Sequence, residues 1–199
     1  MEVIELTKAL ISCQSVTPKN DGVLDLLEKE LSNIGFDCRR YLFSDSNTPD
    51  VDNLFAKIGS GAPHICFGGH TDVVPASAKS WSSNPFKATE KKNKIYGRGA
   101  CDMKGFIACT LALAPYFSKA NLKQPIHFSY TYDEETACQG APVMLKELKN
   151  RKINCSVCIV GEPTNMKAIQ AHKGCYEYST YFTGLAGHGS APDLSLIHI

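Results

Sequence analysis

The 199-residue chain predicts an α/β fold, a mixed, mostly parallel sheet flanked by helices. Three observations carry that expectation. Short apolar runs suited to strands alternate with longer ones whose apolar residues recur at spacings of three and four. Three of the short runs stop abruptly in His/Asp, Glu/Glu or Glu. Composition is ordinary for a globular chain, with 43% hydrophobic and 21% charged residues.

The elements follow in order. Val3, Leu6 and Leu10 share one helical face over residues 3–11. Leu24, Leu27, Leu31 and Ile34 do so over 21–34, with Asp21 as the expected N-cap and Gly35 as the stop. Residues 36–43 and 53–58 read as strands with a polar loop between them. Residues 64–67 form a short strand ending in Gly-Gly-His70-Thr-Asp72, and 87–96 suggest a hairpin. Residues 102–119 read as a helix opened by Asp102, where the helix dipole favours an acid. The strand at 125–132 ends in Asp133-Glu134-Glu135, a helix covers 141–149, and the strand at 155–160 ends in Gly161-Glu162. Strands alternating with helices imply a parallel core, and such sheets bind ligands beyond the carboxyl ends of their strands.

Several function classes are excluded or disfavoured. Twenty-one basic against twenty acidic residues leave +1, which argues against binding nucleic acid. No apolar run reaches membrane-spanning length. The N-terminus carries acids early and reads as a helix, not a signal peptide. Nine scattered cysteines suit a reducing cytoplasm, and Cys155-x-x-Cys158 lies in a strand, where the two thiols are expected on opposite faces as plain core residues. Gly97-x-Gly99 lacks the third glycine of a dinucleotide loop.

What remains is one histidine and several carboxylates at one sheet edge. His70 and Asp72, two apart on an extended chain, lie on the same side, so Asp72 can hold the ring of a metal-binding His70. Three consecutive acids at 133–135 repel one another unless a cation compensates or one is protonated. Mixed nitrogen and oxygen donors suit zinc, cobalt or manganese, and carboxylate-rich ligation suggests a metal pair. Glu134 is placed to act as a base without being a ligand.

These residues resemble the dinuclear-zinc deacylases and peptidases, a family that includes acetylornithine deacetylase, succinyl-diaminopimelate desuccinylase and aminoacylase. The resemblance lies in GGHTDVVP (68–75), YGRGACDMKG (96–105), YDEET (132–136), VGEPT (160–164) and GHGSAP (187–192). It implies a zinc-peptidase-like catalytic domain over 1–173 and the first strands of a small α+β lid or dimerisation domain over 174–199. It implies two divalent metals, zinc or cobalt, with His70 and Glu162 on the first, Asp102 bridging, and Glu135 on the second. Glu134 would be general base and then acid, Asp72 the carboxylate behind His70, and His188 the residue that polarises the substrate carbonyl across a homodimer. A cis peptide is implied at Asp102–Met103. The implied substrate is a small N-acyl amino acid. N-acetylornithine is favoured because the chain from Trp81 onward looks like the deacetylase, and N-succinyl-diaminopimelate is the alternative because residues 1–75 look like the desuccinylase. The chemistry expected is amide hydrolysis in amino-acid biosynthesis, arginine in the first case and lysine in the second. A further alternative is a binding homologue without catalysis. The second metal's C-terminal histidine has no match here, His198 is not assigned to it, and the 199 residues alone are expected to be inactive.

Overall fold

A computed structural model describes residues 2–45, 48–136, 138–174, 176, 178–181 and 183. The chain divides into two units, Met1–Met166 and Lys167–Ile199. The described residues of the second unit form neither helix nor strand. GHGSAP, His188 and His198 lie outside the described residues.

The first unit follows the expected alternation. Helix α1 (Val3–Ser12) buries Leu6, Leu10 and Ile11, and α2 (Val23–Ser32) buries Val23, Leu24, Leu27 and Leu31. The cap of α2 differs from expectation. Asp21 and Gly22 both turn through positive φ, 47° and 77°, so it is Asn20 Oδ1 that accepts the Leu24 N–H, at 3.3 Å. Gly35, with φ 92°, closes the helix as expected.

Strands β1 (Asp37–Asp45) and β2 (Thr48–Ile58) form an antiparallel hairpin. The polar loop expected between them is largely strand, because cross-strand backbone pairing needs no apolar side chain. β3 (His64–His70) runs three residues beyond its apolar part, through Gly68 and Gly69. A small hairpin, β4 (Thr89–Lys91) and β5 (Lys94–Tyr96), turns on Lys92 and Asn93, both at positive φ. Then come α3 (Lys104–Lys119), β6 (Ile126–Thr131), α4 (Gly140–Asn150) and β7 (Cys155–Val160).

The larger sheet has the order β1-β2-β6-β3-β7. β6, β3 and β7 are mutually parallel neighbours, while β2 runs against β1 and β6. Alternation along the strands divides the core. Leu54, Ala56, Phe128 and Tyr130 pack with the apolar stripes of α1, α2 and α3, whereas Phe55 and Tyr41 pack with Met144 and Leu148 of α4. The sheet is thus covered on both faces, the arrangement that a parallel core requires.

The pairing of β7 with β3 slips by one residue: His64 faces Cys155, and Ile65 faces Val157. Ser156 is the extra residue, and its hydroxyl donates to the His64 carbonyl at 3.2 Å. A bulge of this kind reverses the alternation. Cys155 and Cys158 therefore share a face, against the expectation from sequence, and both are exposed rather than core residues. All eight cysteines among the described residues carry free thiols. None of the described helices is long and apolar enough to cross a membrane.

Candidate metal centre

Three neighbouring strands deliver the site. β3 ends in His70, β6 runs into Asp133-Glu134-Glu135, and β7 runs into Gly161-Glu162. Because these strands are parallel, their carboxyl ends lie along one edge. Asp102 joins from the turn before α3. It precedes the helix rather than opening it, since α3 begins at Lys104 after a cis Asp102–Met103 peptide.

The His70 ring is 2% exposed. Its Nδ1 lies 3.0 Å from the carbonyl oxygen of Asp72 and donates to it. Its Nε2 then faces carboxylates from three separate segments: Asp102 Oδ1 at 3.0 Å, Glu162 Oε1 at 3.8 Å and Glu134 Oε2 at 3.9 Å. A nitrogen lone pair aimed at oxygen lone pairs is repulsive unless a proton or a cation stands between them. Ligand atoms of His70, Asp102 and Glu162 all lie within 4.8 Å of one another. Glu135 lies near enough to feel the charge of Asp102, but it is not part of that group of three.

Asp72 is fully buried, and its carboxylate is committed elsewhere than the ring. Oδ2 accepts from the Thr17 hydroxyl at 2.8 Å and from the Glu135 N–H at 3.2 Å, and Oδ1 accepts from the Glu134 N–H at 3.2 Å. Its nearer oxygen is 3.6 Å from His70 Nδ1, so the ring is held by the Asp72 carbonyl and only supported by the carboxylate charge. One residue thus orients His70 and pins the turn that carries Glu134 and Glu135.

The electrostatics follow from this crowding. Burial alone would lower the His70 pKa, but Asp72, Glu134 and Glu162 outweigh it and raise the ring to about 9. Burial pushes the Asp72 carboxyl up; the adjacent His70 ring, with hydrogen bonds from Thr17 and the Glu135 N–H, overcomes that and holds it below the usual carboxylate value. Burial, with repulsion from Asp102 and Glu134, raises Glu135 and Glu162. The cluster is one that positive charge would relieve.

Comparison with known proteins gives the frame for this geometry. Residues 66–193 match the model of peptidase family M20/M25/M40, which is more than half of the chain. The chain belongs to peptidase family M20/M25/M40. It is 42% identical to a succinyl-diaminopimelate desuccinylase of Parvibaculum lavamentivorans, over 96% of this chain and 50% of that protein. It is 45% identical to one from Rhodopseudomonas palustris (strain HaA2), over 83% of this chain and 45% of that protein. The chain thus spans about half the length of the curated relatives it matches, and the Parvibaculum protein matches both residues 1–75 and the chain from Trp81 onward. Among solved structures, human carnosine dipeptidase 1 shares the fold with a TM-score of 0.71 at 20% identity, over 79% of this chain and 37% of that one.

M20/M25/M40 metallopeptidases use divalent metals, and the donor set here fits them: one imidazole nitrogen with its tautomer fixed from behind, and two carboxylates facing it. Residues not singled out in the sequence support this candidate site. Met103 Sδ accepts the His70 N–H at 3.3 Å. Lys104, fully buried, donates to the carbonyls of Leu10 and Cys13 and so ties the end of α1 to the start of α3 beside Asp102. A lysine on an otherwise apolar helix face was the signal available for Lys104. Thr17 offered none, because its partner is 55 positions away.

Gly161 sets the position of Glu162. A Cβ there would collide with the root of the Phe106 ring, which cannot swing clear as a flexible tail would. Gly161→Ala is therefore expected to displace Glu162 and weaken zinc or cobalt binding at least about tenfold. Titration calorimetry checks this, with circular dichroism showing that the helices remain.

Proposed function

We propose that the protein hydrolyses the amide bond of a small N-acyl amino acid, with His70, Asp102 and Glu162 holding one divalent metal. The observation that carries the reading is the His70 Nε2, buried and facing carboxylates from three segments. Asp102 and Glu135 would hold a second metal beside the first, with zinc or cobalt as the preferred ion. Bound there, the metals supply positive charge that acidifies water and offsets charge developing on the amide oxygen.

The chain's own groups do the rest. Glu134 takes a proton from the attacking water, then gives it to the leaving nitrogen as the C–N bond breaks. The products are a carboxylate and a free amine. Asp72 keeps the His70 tautomer fixed and holds the Glu134 backbone, so base and ligand stay in register. His188 is proposed to polarise the substrate carbonyl across a homodimer. The proposed organisation is a catalytic domain over 1–173 and a lid domain beginning at 174, in a cytoplasmic enzyme of amino-acid biosynthesis.

The preferred substrate moves from N-acetylornithine to N-succinyl-diaminopimelate, because two relatives at 42% and 45% identity carry the name succinyl-diaminopimelate desuccinylase. The test is amine release from both compounds by the full-length natural protein that carries these residues, with zinc or cobalt added. Faster release from N-succinyl-diaminopimelate is expected. Faster release from N-acetylornithine overturns the substrate assignment, and no metal-dependent release from either overturns the reading.

A further inference from the structure

A second cluster of metal-ligating groups lies on β3, β6 and β7, four residues back along β3 from His70 and so about 13 Å away. Cys66 is buried and His127 is fully buried. The Cys66 and Cys155 sulfurs and a ring nitrogen of His127 all lie within 4.8 Å of one another. Cys155 Sγ is 3.9 Å from His127 Nε2. Edges of a zinc tetrahedron with sulfur and nitrogen ligands are about 3.6–3.8 Å, so small side-chain movements close the gap. The far side of the His127 ring is already held, its Nδ1 3.1 Å from His64 Nδ1. With His127 donating in that bond, Nε2 presents a lone pair to the thiols. A partner on the other nitrogen is what a metal-binding histidine ordinarily has.

A fourth donor comes from the bulge in β7. It turns Cys158 to the same face as Cys155 and sets it opposite Cys66 in the strand register. Gly68, two residues on from Cys66, leaves that space open: a Cβ there would meet Cys158 Sγ at 3.4 Å. The sulfur therefore leans over β3 rather than away from the sheet. Sulfur-rich donors with one imidazole select zinc or another soft cation over the hard ions that carboxylates favour.

We propose that Cys66, Cys155, Cys158 and His127 form a structural site for a zinc-class cation that staples edge strand β7 to β3 and β6. The thiols bind as thiolates, each releasing its proton to solvent. All six residues of β7 are exposed, so apolar burial anchors it weakly, and the staple fixes the strand from which Glu162 projects. The site is separate from the one built on His70 and does not depend on it.

Cobalt separates the two sites, because thiolate ligation gives an intense charge-transfer absorption in the near ultraviolet that oxygen and imidazole ligands do not. The 199-residue chain, reduced and then titrated with cobalt alone, is expected to develop this absorption. Asp102→Ala, which removes a carboxylate from the His70 site, is expected to keep it. Cys155→Ser and Cys158→Ser, both at exposed positions, are each expected to weaken cobalt binding at this band at least about tenfold, and the double variant to abolish it. Zinc should raise the melting temperature of Asp102→Ala but not that of Asp102→Ala carrying both cysteine substitutions. Absence of the absorption in the unsubstituted chain overturns the proposal. So does a band that survives in the double variant, which would place the thiolate elsewhere, or one lost in Asp102→Ala.

Discussion

Glu134→Gln is expected to lower amide turnover roughly a hundred- to ten-thousand-fold while the metal content stays unchanged. Glutamine has the same shape, so the backbone N–H of residue 134 keeps its bond to Asp72 Oδ1 and the turn holds. What disappears is the ability to take a proton from water and return it to nitrogen. The carboxylate stands 3.9 Å from His70 Nε2, outside the 4.8 Å cluster of His70, Asp102 and Glu162. Amine release and metal analysis on the same preparation decide the matter. A parallel loss of metal and activity would make Glu134 a ligand and leave the proton transfers without an owner.

Asp72→Ala is expected to cost about 3–5 kcal/mol of stability, measured by urea unfolding in the presence of a chelator. The carboxylate is fully buried and is the acceptor for the Thr17 hydroxyl and two backbone N–H groups. Removing it leaves three partly buried donors without their acceptor, and a His70 ring that has lost its neighbouring charge. Asp72→Asn keeps the volume and one acceptor oxygen but turns an NH2 towards donors, so an intermediate loss is expected. Metal affinity should fall about 10- to 100-fold in either variant, since the ring and the Glu135 backbone are both released. A loss below about 1 kcal/mol for Asp72→Ala would show that the network does not support the fold.

Much of this was legible in the sequence because the physics is local. Helices α1, α2 and α4 announce themselves by apolar residues every three or four positions, and β7 by an apolar run broken only by Ser156, with the expected ends. The ends of β3, β6 and β7 stood out as polar residues where apolar runs stop. What could not be read depends on partners far along the chain. The outer part of the β1–β2 hairpin is polar and is held by cross-strand backbone bonds, so periodicity does not mark it. The Asp72 carboxylate looked like a support for the neighbouring imidazole, but its bonds run to residues 55, 62 and 63 positions away. Counting along a regular strand puts Cys155 and Cys158 on opposite faces. A single extra residue in the pairing with β3 defeats that count.

The parallel run β6-β3-β7 has one further consequence. Hydrogen bonding fixes the spacing between neighbouring strands at about 4.8 Å, so the separation of the groups at their ends is set by the backbone lattice. β3 ends in His70 itself, and Glu135 and Glu162 follow β6 and β7 after four and two residues, so the segments free of reacting groups are those beyond these short turns and outside the turn that carries Asp102. Their length and composition can change across generations without moving the reacting groups. Such a protein can keep one bond-breaking apparatus while its choice of acyl group and amino acid is rewritten in the connecting segments.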